Sequence, residues 1–108
     1  RVDLPALRRN ATLDAAARIH ATDMETKNFF AHKGSDGTTG GQRLTRAGYR
    51  WCSMAENISK GYSTETRVIE GWRVSPSHYR NIVSGSAKEF GLARVGKFHV
   101  MLVAEKGC

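Results

Sequence analysis

The hydrophobic pattern near the start of the chain is helical. Over residues 13–28 apolar side chains recur at spacings of three and four, which places them on one face of a helix. That face carries Leu13, Ala17, His20 and Met24. Asn10 and Thr12 lie just before it, and both residue types cap helix starts by accepting a backbone N–H. We therefore predict a first helix over residues 13–28.

The middle of the chain alternates between turn residues and short periodic segments. Residues 34–41 are rich in Gly, Ser and Thr and predict a turn, since they lack the Lys-Ser/Thr ending of a phosphate-binding loop. A short helix is expected over residues 42–47, stopped by Gly48, and an irregular strand over residues 49–58. A further helix is expected over residues 64–74. Ser75-Pro76 ends that helix and starts another short one.

The last part of the chain predicts a β-hairpin. Residues 90–95 and 98–104 are apolar strands joined at Gly96-Lys97. Helices early and a hairpin late indicate an α+β fold. With 108 residues, we expect a single domain over 1–108.

The net charge of +7 fits either an ordinary solvated cationic surface or partners of opposite charge. The basic residues are spread without a run of five, so no basic tail is present. They favour attraction to anionic surfaces such as phospholipid, cell-wall polymer or acidic glycan. No nucleic-acid recognition motif accompanies the charge, so we expect no nucleic-acid partner. No apolar run approaches the roughly 20 residues that a transmembrane helix needs.

Two cysteines, Cys52 and Cys108, are far apart and lie outside any Cys-x-x-Cys motif. This spacing excludes zinc-knuckle and thioredoxin-like sites and leaves two alternatives, a disulfide or two buried thiols. A cysteine at the last position is seldom buried, because chain ends fray unless they are tied down. This favours the disulfide, and with it a secreted, extracellular or periplasmic location.

Among the four histidines, His32 and His78 differ from the others in their surroundings. His20 lies within the apolar face of the first helix and His99 within an apolar strand, so both are expected to be structural. His32 and His78 stand beside loops, where binding residues concentrate. Glu56 interrupts a segment with strand character, which is an unfavourable place for a carboxylate.

A set of short motifs then appears in a recognisable order: Phe29-Phe30-Ala31-His32, Arg43, Ala47-Gly48-Tyr49, Ala55-Glu56-Asn57-Ile58, Trp72 and Ser75-Pro76-Ser77-His78. In this order they resemble the CAP superfamily, which contains the cysteine-rich secretory, antigen-five and pathogenesis-related-one proteins and is also called the SCP domain. The chain looks most like the short bacterial members, and the resemblance covers nearly all of it.

The resemblance implies a three-layer α-β-α sandwich around a small antiparallel sheet, with two histidines and two acids in a cleft. Motif matching assigns His32 and His78 as the histidines and Glu56 as the first acid. The acid that follows the tryptophan in eukaryotic members is absent here, because Trp72 is followed by Arg73, Val74 and Ser75. The site is therefore expected to be a triad, with Ser75 beside it. The family's opening helix is also expected to be missing.

Three functions are compatible with such a site. The first is a secreted module that binds a lipid, sterol, glycan or peptide through His32, Glu56, His78 and Ser75. The second is a metal-assisted hydrolase or protease, with Glu56 and His78 as the candidate catalytic residues. The third is a structural or interaction domain without a small-molecule ligand. We expect a binding module rather than an enzyme.

Metal binding is a separate question at the same residues. Two imidazole nitrogens and one carboxylate, from His32, His78 and Glu56, would suit Zn²⁺ and leave a fourth position open. The alternative is a metal-free cluster of hydrogen-bonded side chains, and no cofactor is required by the sequence.

Two further features have ordinary explanations. Asn10-Ala11-Thr12 and Asn57-Ile58-Ser59 match the glycosylation sequon, but Asn57 belongs to the family motif and is expected to be a structural hydrogen bonder. Trp51 and Trp72 are candidate ligand-stacking residues, yet aromatic side chains more often belong to the core.

Overall fold

The computed structural model describes residues 7–61 and 88–106. In chain order the elements are strand β1 (Arg8–Arg9), helix α1 (Ala11–Lys27), helix α2 (Gly40–Arg46), and strands β2 (Trp51–Lys60), β3 (Glu89–Val95) and β4 (Phe98–Lys106). The predicted helix at 64–74, the Ser75-Pro76 break, Trp72 and His78 fall outside the described residues.

The four strands form one sheet in the order β1-β3-β4-β2. β4 pairs antiparallel with both β2 and β3, and the two-residue β1 pairs parallel with β3. The hairpin between β3 and β4 turns at Gly96-Lys97, as the sequence predicted, with Gly96 at a φ of 59°. Helices and a mainly antiparallel sheet confirm the α+β class.

The start of α1 follows the predicted capping chemistry. Asn10 is the N-cap, and its side-chain oxygen accepts hydrogen bonds from the backbone N–H groups of Thr12 and Leu13. Asp14 lies in the first turn, where the helix dipole favours a negative charge. The helix ends at Asn28, whose left-handed backbone (φ 55°) suits an Asn C-cap.

The core lies between α1 and one face of the sheet. Leu13, Ala17 and Met24 of α1 are fully buried against the side chains of β4 that point the same way, which are Phe98, Val100, Leu102 and Ala104. The alternate residues of β4, His99, Met101 and Val103, are buried as well. Both faces of β4 are therefore covered, as a strand in the middle of three layers requires.

α1 approaches the sheet so closely that one position must be glycine. A Cβ on Gly91 of β3 would lie 2.4 Å from backbone atoms of Leu13 and Asp14. The Asp14 carboxylate also accepts a hydrogen bond from the Leu92 N–H at 2.8 Å. The helix start is thus fixed directly on β3.

A buried carboxylate strengthens the same junction. Glu89, at the start of β3, accepts a 2.6 Å hydrogen bond from the Tyr49 hydroxyl and a 3.0 Å bond from the Asn10 side-chain amide. Lys106 lies 3.8 Å from Glu89 and above the Tyr49 ring. Asn10 therefore caps α1 with its oxygen while its nitrogen binds Glu89. We call Glu89, Tyr49, Asn10 and Lys106 the Glu89 cluster.

Candidate functional site

Glu56 and His32, separated by 24 residues in sequence, meet in the folded chain. Glu56 lies opposite Leu102 in the β2–β4 register, so its side chain points to the same sheet face as α1. His32 lies in the segment that follows α1, and its Nδ1 is 2.9 Å from Glu56 Oε1. The Glu56 side chain is only 6% exposed, whereas that of His32 is 61% exposed. The pair thus has one buried and one solvent-facing member.

A buried arginine holds this pair in place. Arg43 of α2 donates to Glu56 Oε2 at 2.8 Å and to the His32 carbonyl oxygen at 2.9 Å. Its other terminal nitrogen donates to the Thr38 carbonyl oxygen at 2.8 Å. The planar guanidinium therefore ties β2 to the loop on both sides of the site, which suits its fixed fork of donors. Arg43, Glu56 and His32 are called the Glu56 cluster below.

The contact with Glu56 fixes the tautomer of a neutral His32. Because a carboxylate only accepts, Nδ1 must carry the proton, and Nε2 is then a free lone pair. The carboxylate–imidazole pair is the arrangement that orients metal-binding and proton-accepting histidines. His32 can therefore accept a proton, bind a cation or accept a hydrogen bond from a ligand at Nε2.

A second imidazole lies below the pair. His20 of α1 is fully buried, and its Nε2 donates to the Ala31 carbonyl oxygen at 2.7 Å. Its Nδ1 has no hydrogen-bond partner within the described segments. Burial lowers the pKa of His20, an effect that the nearby Glu56 charge partly opposes. As predicted from its helix face, this histidine is a buried residue, and it supports the peptide next to His32.

Two aspartates, one in the loop and one in α1, hold the loop between the helices in place. Asp36 accepts from both the hydroxyl and the N–H of Thr38, and these bonds lower the Asp36 pKa to about 2. Asp23 of α1 accepts twice from Ser35. Burial acts to raise the Asp23 pKa, but the two bonds from Ser35 outweigh it and the pKa is lowered. The loop that presents His32 and Thr38 is therefore anchored at both ends.

A cleft of about 640 Å³ opens in front of the Glu56 cluster. Of the described residues, those lining it are His32, Thr39, Gly40, Gly41, Gln42, Thr45, Arg46, Trp51, Met54 and Glu56. The backbone at Gly40 lies close to this lining, since a Cβ there would come within about 3.3 Å of both the Met54 methyl and Glu56 Oε2. The cleft combines polar side chains with an apolar wall, as ligand sites do.

Trp51 forms part of that wall, and the expectation that it belongs to the core is wrong. Its residue exposure is 37%. The indole lies directly against Gly41, where a Cβ would approach the ring to 2.6 Å. Its N–H points to the Gly41 carbonyl oxygen and the Thr45 hydroxyl, both at 3.0 Å. The polar edge is thus satisfied inside the protein, while part of the ring remains in the cleft.

A family model described as the cysteine-rich secretory protein family, CAP, matches residues 1–100. The chain belongs to the CAP family. This membership confirms the resemblance drawn from the ordered motifs.

Relatives of known sequence and structure agree with this assignment. The uncharacterized protein YkwD of Bacillus subtilis is 29% identical over 92 residues, which are 85% of this chain and 36% of that protein. An extracellular protein containing an SCP domain from Bacillus anthracis is 27% identical, with a TM-score of 0.90 over 95% of this chain and 35% of the other. This CAP chain therefore spans about a third of the length of either relative.

A more distant structure shows the same fold. An outer surface protein from Borrelia burgdorferi is 23% identical and superimposes with a TM-score of 0.86, covering 96% of this CAP chain and 80% of the other. The three-dimensional likeness supports the SCP-type α+β architecture.

The structure brings together two of the residues that the motifs selected. His32 and Glu56 are in contact, whereas His78 and Ser75 lie outside the described residues. Within 7–61 and 88–106, no three His, Cys, Asp or Glu side chains cluster closely enough to hold a metal ion. The zinc hypothesis therefore still depends on His78.

The predicted disulfide also has only one end in the described part of the chain. Cys52 lies in β2, where the pairing shifts between Trp51, opposite Lys106, and Ser53, opposite Glu105. Its sulfur is 3.3 Å from the Glu105 carbonyl oxygen. The paired part of β4 therefore extends to the level of Cys52. β4 ends at Lys106, two residues before Cys108 in the sequence.

Sequence reasoning missed two features of the site. Arg43 was found only as a motif residue, and its role as a buried clamp depends on contacts with distant carbonyl and carboxylate oxygens. Trp51 was a candidate stacking residue in the sequence, but the general preference of aromatic side chains for the core favoured the opposite expectation.

Proposed function

We propose that this CAP domain is an extracellular binding module that takes a ligand in the cleft at His32 and Glu56. The observation that carries the proposal is the pair itself. A buried, clamped carboxylate orients an exposed imidazole that lines a cleft of about 640 Å³. A purely structural pair would be expected to enclose both partners.

The proposed location rests on the descriptions of two solved relatives and on the position of Cys52. The two solved relatives are described as an extracellular protein and an outer surface protein. In the parts of the chain that the structure describes, no helix has the length and apolar character to cross a bilayer. The β2–β4 register also brings the end of β4 to Cys52, which favours a Cys52–Cys108 disulfide and hence an oxidising compartment.

Zinc is proposed as an auxiliary ligand of the same residues. With Nδ1 donating to Glu56, Nε2 of His32 is suited to bind a metal, and His78 would supply the second imidazole. Glu56 already accepts one hydrogen bond on each oxygen, so it acts better as the residue that orients His32 than as a direct ligand.

A metal-assisted hydrolase is the second candidate, and the same tautomer favours it. An oriented imidazole with a free Nε2 can remove a proton from water, with or without a metal. If this is correct, Glu56→Gln should abolish a measurable turnover of peptide or ester substrates, because a neutral amide orients the imidazole less well and does not stabilise its protonated form. Turnover that persists in Glu56→Gln would exclude this role for the pair.

The binding proposal is tested by thermal-shift and calorimetric titration of the disulfide-intact protein. The probes are a sterol, anionic phospholipid vesicles, glycan oligomers, a peptide mixture and Zn²⁺. We expect at least one probe to bind wild type and to lose about tenfold or more affinity in His32→Ala. Lys33→Ala is the matched control, since Lys33 is exposed and adjacent but does not line the cleft. Binding by none of the probes, or equal binding in His32→Ala, would contradict the proposal.

A further inference from the structure

We infer that the Trp51 side of the cleft is a saccharide subsite, selective for sugar rings that carry acetamido or carboxylate groups. This inference rests on the proposed binding function and specifies its ligand class. It starts from an aromatic ring that is part-exposed, immobilised and placed in a cleft that combines an apolar wall with polar side chains.

The indole of Trp51 is held so that only its ring is available to a ligand. Both contacts of its N–H, to the Gly41 carbonyl oxygen and the Thr45 hydroxyl, are within the protein. The ring packs on the bare backbone of Gly41. A ligand at this wall therefore meets the π system rather than a hydrogen-bond donor. The face of an aromatic ring carries partial negative charge and attracts C–H groups. The axial C–H groups on one side of a pyranose ring can therefore stack on the indole.

The polar groups around Trp51 offer mainly hydrogen-bond donors. Thr39 and Gln42 form a capping box, in which Thr39 Oγ1 accepts from the Gln42 N–H and Gln42 Oε1 accepts from the Thr39 N–H. The Thr45 hydroxyl oxygen receives the Trp51 N–H. Each of these three oxygens thus already accepts one internal hydrogen bond. The amide NH₂ of Gln42 and the two hydroxyl protons have no acceptor among the described residues, and they are the main polar groups offered to a ligand.

The charged lining residues point to the same chemistry. Both oxygens of Glu56 accept hydrogen bonds from His32 and Arg43, which leaves no uncommitted carboxylate in the described lining. Arg46 uses one terminal nitrogen on Asp36, and its side chain is 69% exposed. An acceptor-rich ligand, neutral or anionic, therefore matches this wall, and the chain's charge of +7 favours an anionic one.

Saccharides fit this combination better than lipids. An acyl chain would cover Trp51 but offer no acceptor to the donors of Gln42 and Thr45, at a cost for each donor that loses water. An acetamido or uronic-acid sugar presents an apolar ring face beside carbonyl or carboxylate oxygens, so one ligand satisfies both requirements.

The test is calorimetric titration of the intact chain with three oligosaccharides, followed in parallel by tryptophan fluorescence. The probes are N-acetylglucosamine tetramer, galacturonic acid trimer and cellotetraose, which lacks both substituents. We expect one or both of the first two to bind at least about tenfold more tightly than cellotetraose. Binding of galacturonate that weakens with salt would assign the carboxylate as the recognised group, and salt-independent binding of the N-acetylglucosamine tetramer would assign the acetamido group.

Two variants separate the subsite from general effects. Trp51→Ala should weaken binding about tenfold or more, as loss of an aromatic stacking partner does in nucleic-acid sites, whereas Trp51→Tyr should retain most of it. Phe30→Ala is the matched control, because Phe30 is 47% exposed and does not line the cleft. Should Trp51→Ala fail to fold, Gln42→Glu serves instead. It keeps the capping-box acceptor but replaces the donor NH₂ with a negative charge, and should abolish galacturonate binding.

The outcome is distinguishable from failure of the proposed function. If sterol, phospholipid, peptide or Zn²⁺ binds in a His32-dependent way and none of the saccharides does, the saccharide subsite is refuted and the binding module stands. Saccharide binding that is unchanged in Trp51→Ala and Gln42→Glu would also overturn the subsite. If no probe of any class binds, both proposals fail together.

Discussion

The chain buries two carboxylates against the same face of one sheet, and their hydrogen-bonding partners differ in exposure to solvent. Glu56 and Glu89 have side chains only 6% and 10% exposed, and each accepts hydrogen bonds on both oxygens. The partners of Glu89 include Tyr49, which is itself buried. One partner of Glu56, His32, is mostly exposed and lies at the mouth of a cleft.

This difference distinguishes a structural acid from one that we propose belongs to a binding site. The Glu89 cluster joins the start of α1 to β3 and β4, and the two side chains that donate hydrogen bonds to Glu89 are buried Tyr49 and half-buried Asn10. The Glu56 cluster has comparable hydrogen bonds, but one of them orients His32, whose side chain is mostly exposed. Burial of a carboxylate alone therefore says little about function, and the exposure of its hydrogen-bonding partner is the informative quantity.

The largest effect should come from removing the clamp of the Glu56 cluster. Arg43→Leu leaves the buried Glu56 without its cationic partner and frees the carbonyl oxygens of His32 and Thr38. We expect a loss of about 3–5 kcal/mol in the free energy of unfolding, measured by urea denaturation. Arg46→Leu, one helix turn away and exposed, should change it by less than about 1 kcal/mol. Similar losses for both variants would show that Arg43 is not a clamp.

The next effect concerns the predicted Cys52–Cys108 disulfide. Reduction, or Cys52→Ser, should lower the free energy of unfolding by about 3–4 kcal/mol, because the bridge to Cys108 closes a long loop in the unfolded chain. Intact-mass measurement should show a gain of about 2 Da on reduction, one hydrogen for each sulfur. No mass change would mean that the thiols are unpaired and would also weaken the argument for an oxidising compartment.

Local structure was largely predictable from the sequence, and the two acid clusters were not. The cap at Asn10, the helix that follows it and the hairpin at Gly96-Lys97 depend on neighbouring residues, and all three were confirmed. The strand expected at 49–58 runs from Trp51 to Lys60, because its start is set by pairing with Lys106 rather than by its own pattern.

Contacts between distant residues explain what was missed. The Tyr49–Glu89 bond joins residues 40 positions apart, and nothing in either neighbourhood marks them as partners. The contact between His32 and Glu56 was anticipated only through the ordered motifs of a known family. The roles of Arg43 and Trp51 follow from which atoms face them in the fold, and a pattern of residue types does not contain that information.

A smaller effect is expected when Glu89 loses its buried donor. Tyr49→Phe removes a 2.6 Å hydrogen bond to a carboxylate and should cost about 1.5–3 kcal/mol at neutral pH. This bond is the main cause of the lowered pKa of Glu89. The stability it confers is present above the unfolded-state pKa, near pH 4, and is lost as the pH falls through the lowered folded-state pKa. The difference between wild type and Tyr49→Phe should therefore shrink in acid, and a difference independent of pH would contradict this account.

The smallest effect tests whether burial beneath the Glu56 cluster keeps His20 neutral. Since burial lowers the pKa of His20 in the folded chain, the unfolded chain binds a proton first as the pH falls below about 6.5. Wild-type stability should decline below that pH by at most about 1.4 kcal/mol per pH unit from this residue, and the decline should stop once the pH is below the folded-state pKa. His20→Gln keeps a donor for the Ala31 carbonyl oxygen but cannot take up a proton, so urea denaturation of this variant at several pH values should give a shallower slope between pH 7 and 5. Equal slopes in the two proteins would mean that His20 takes up its proton as readily in the fold as in the unfolded chain, and that the imidazole beneath the site is accessible to protons after all.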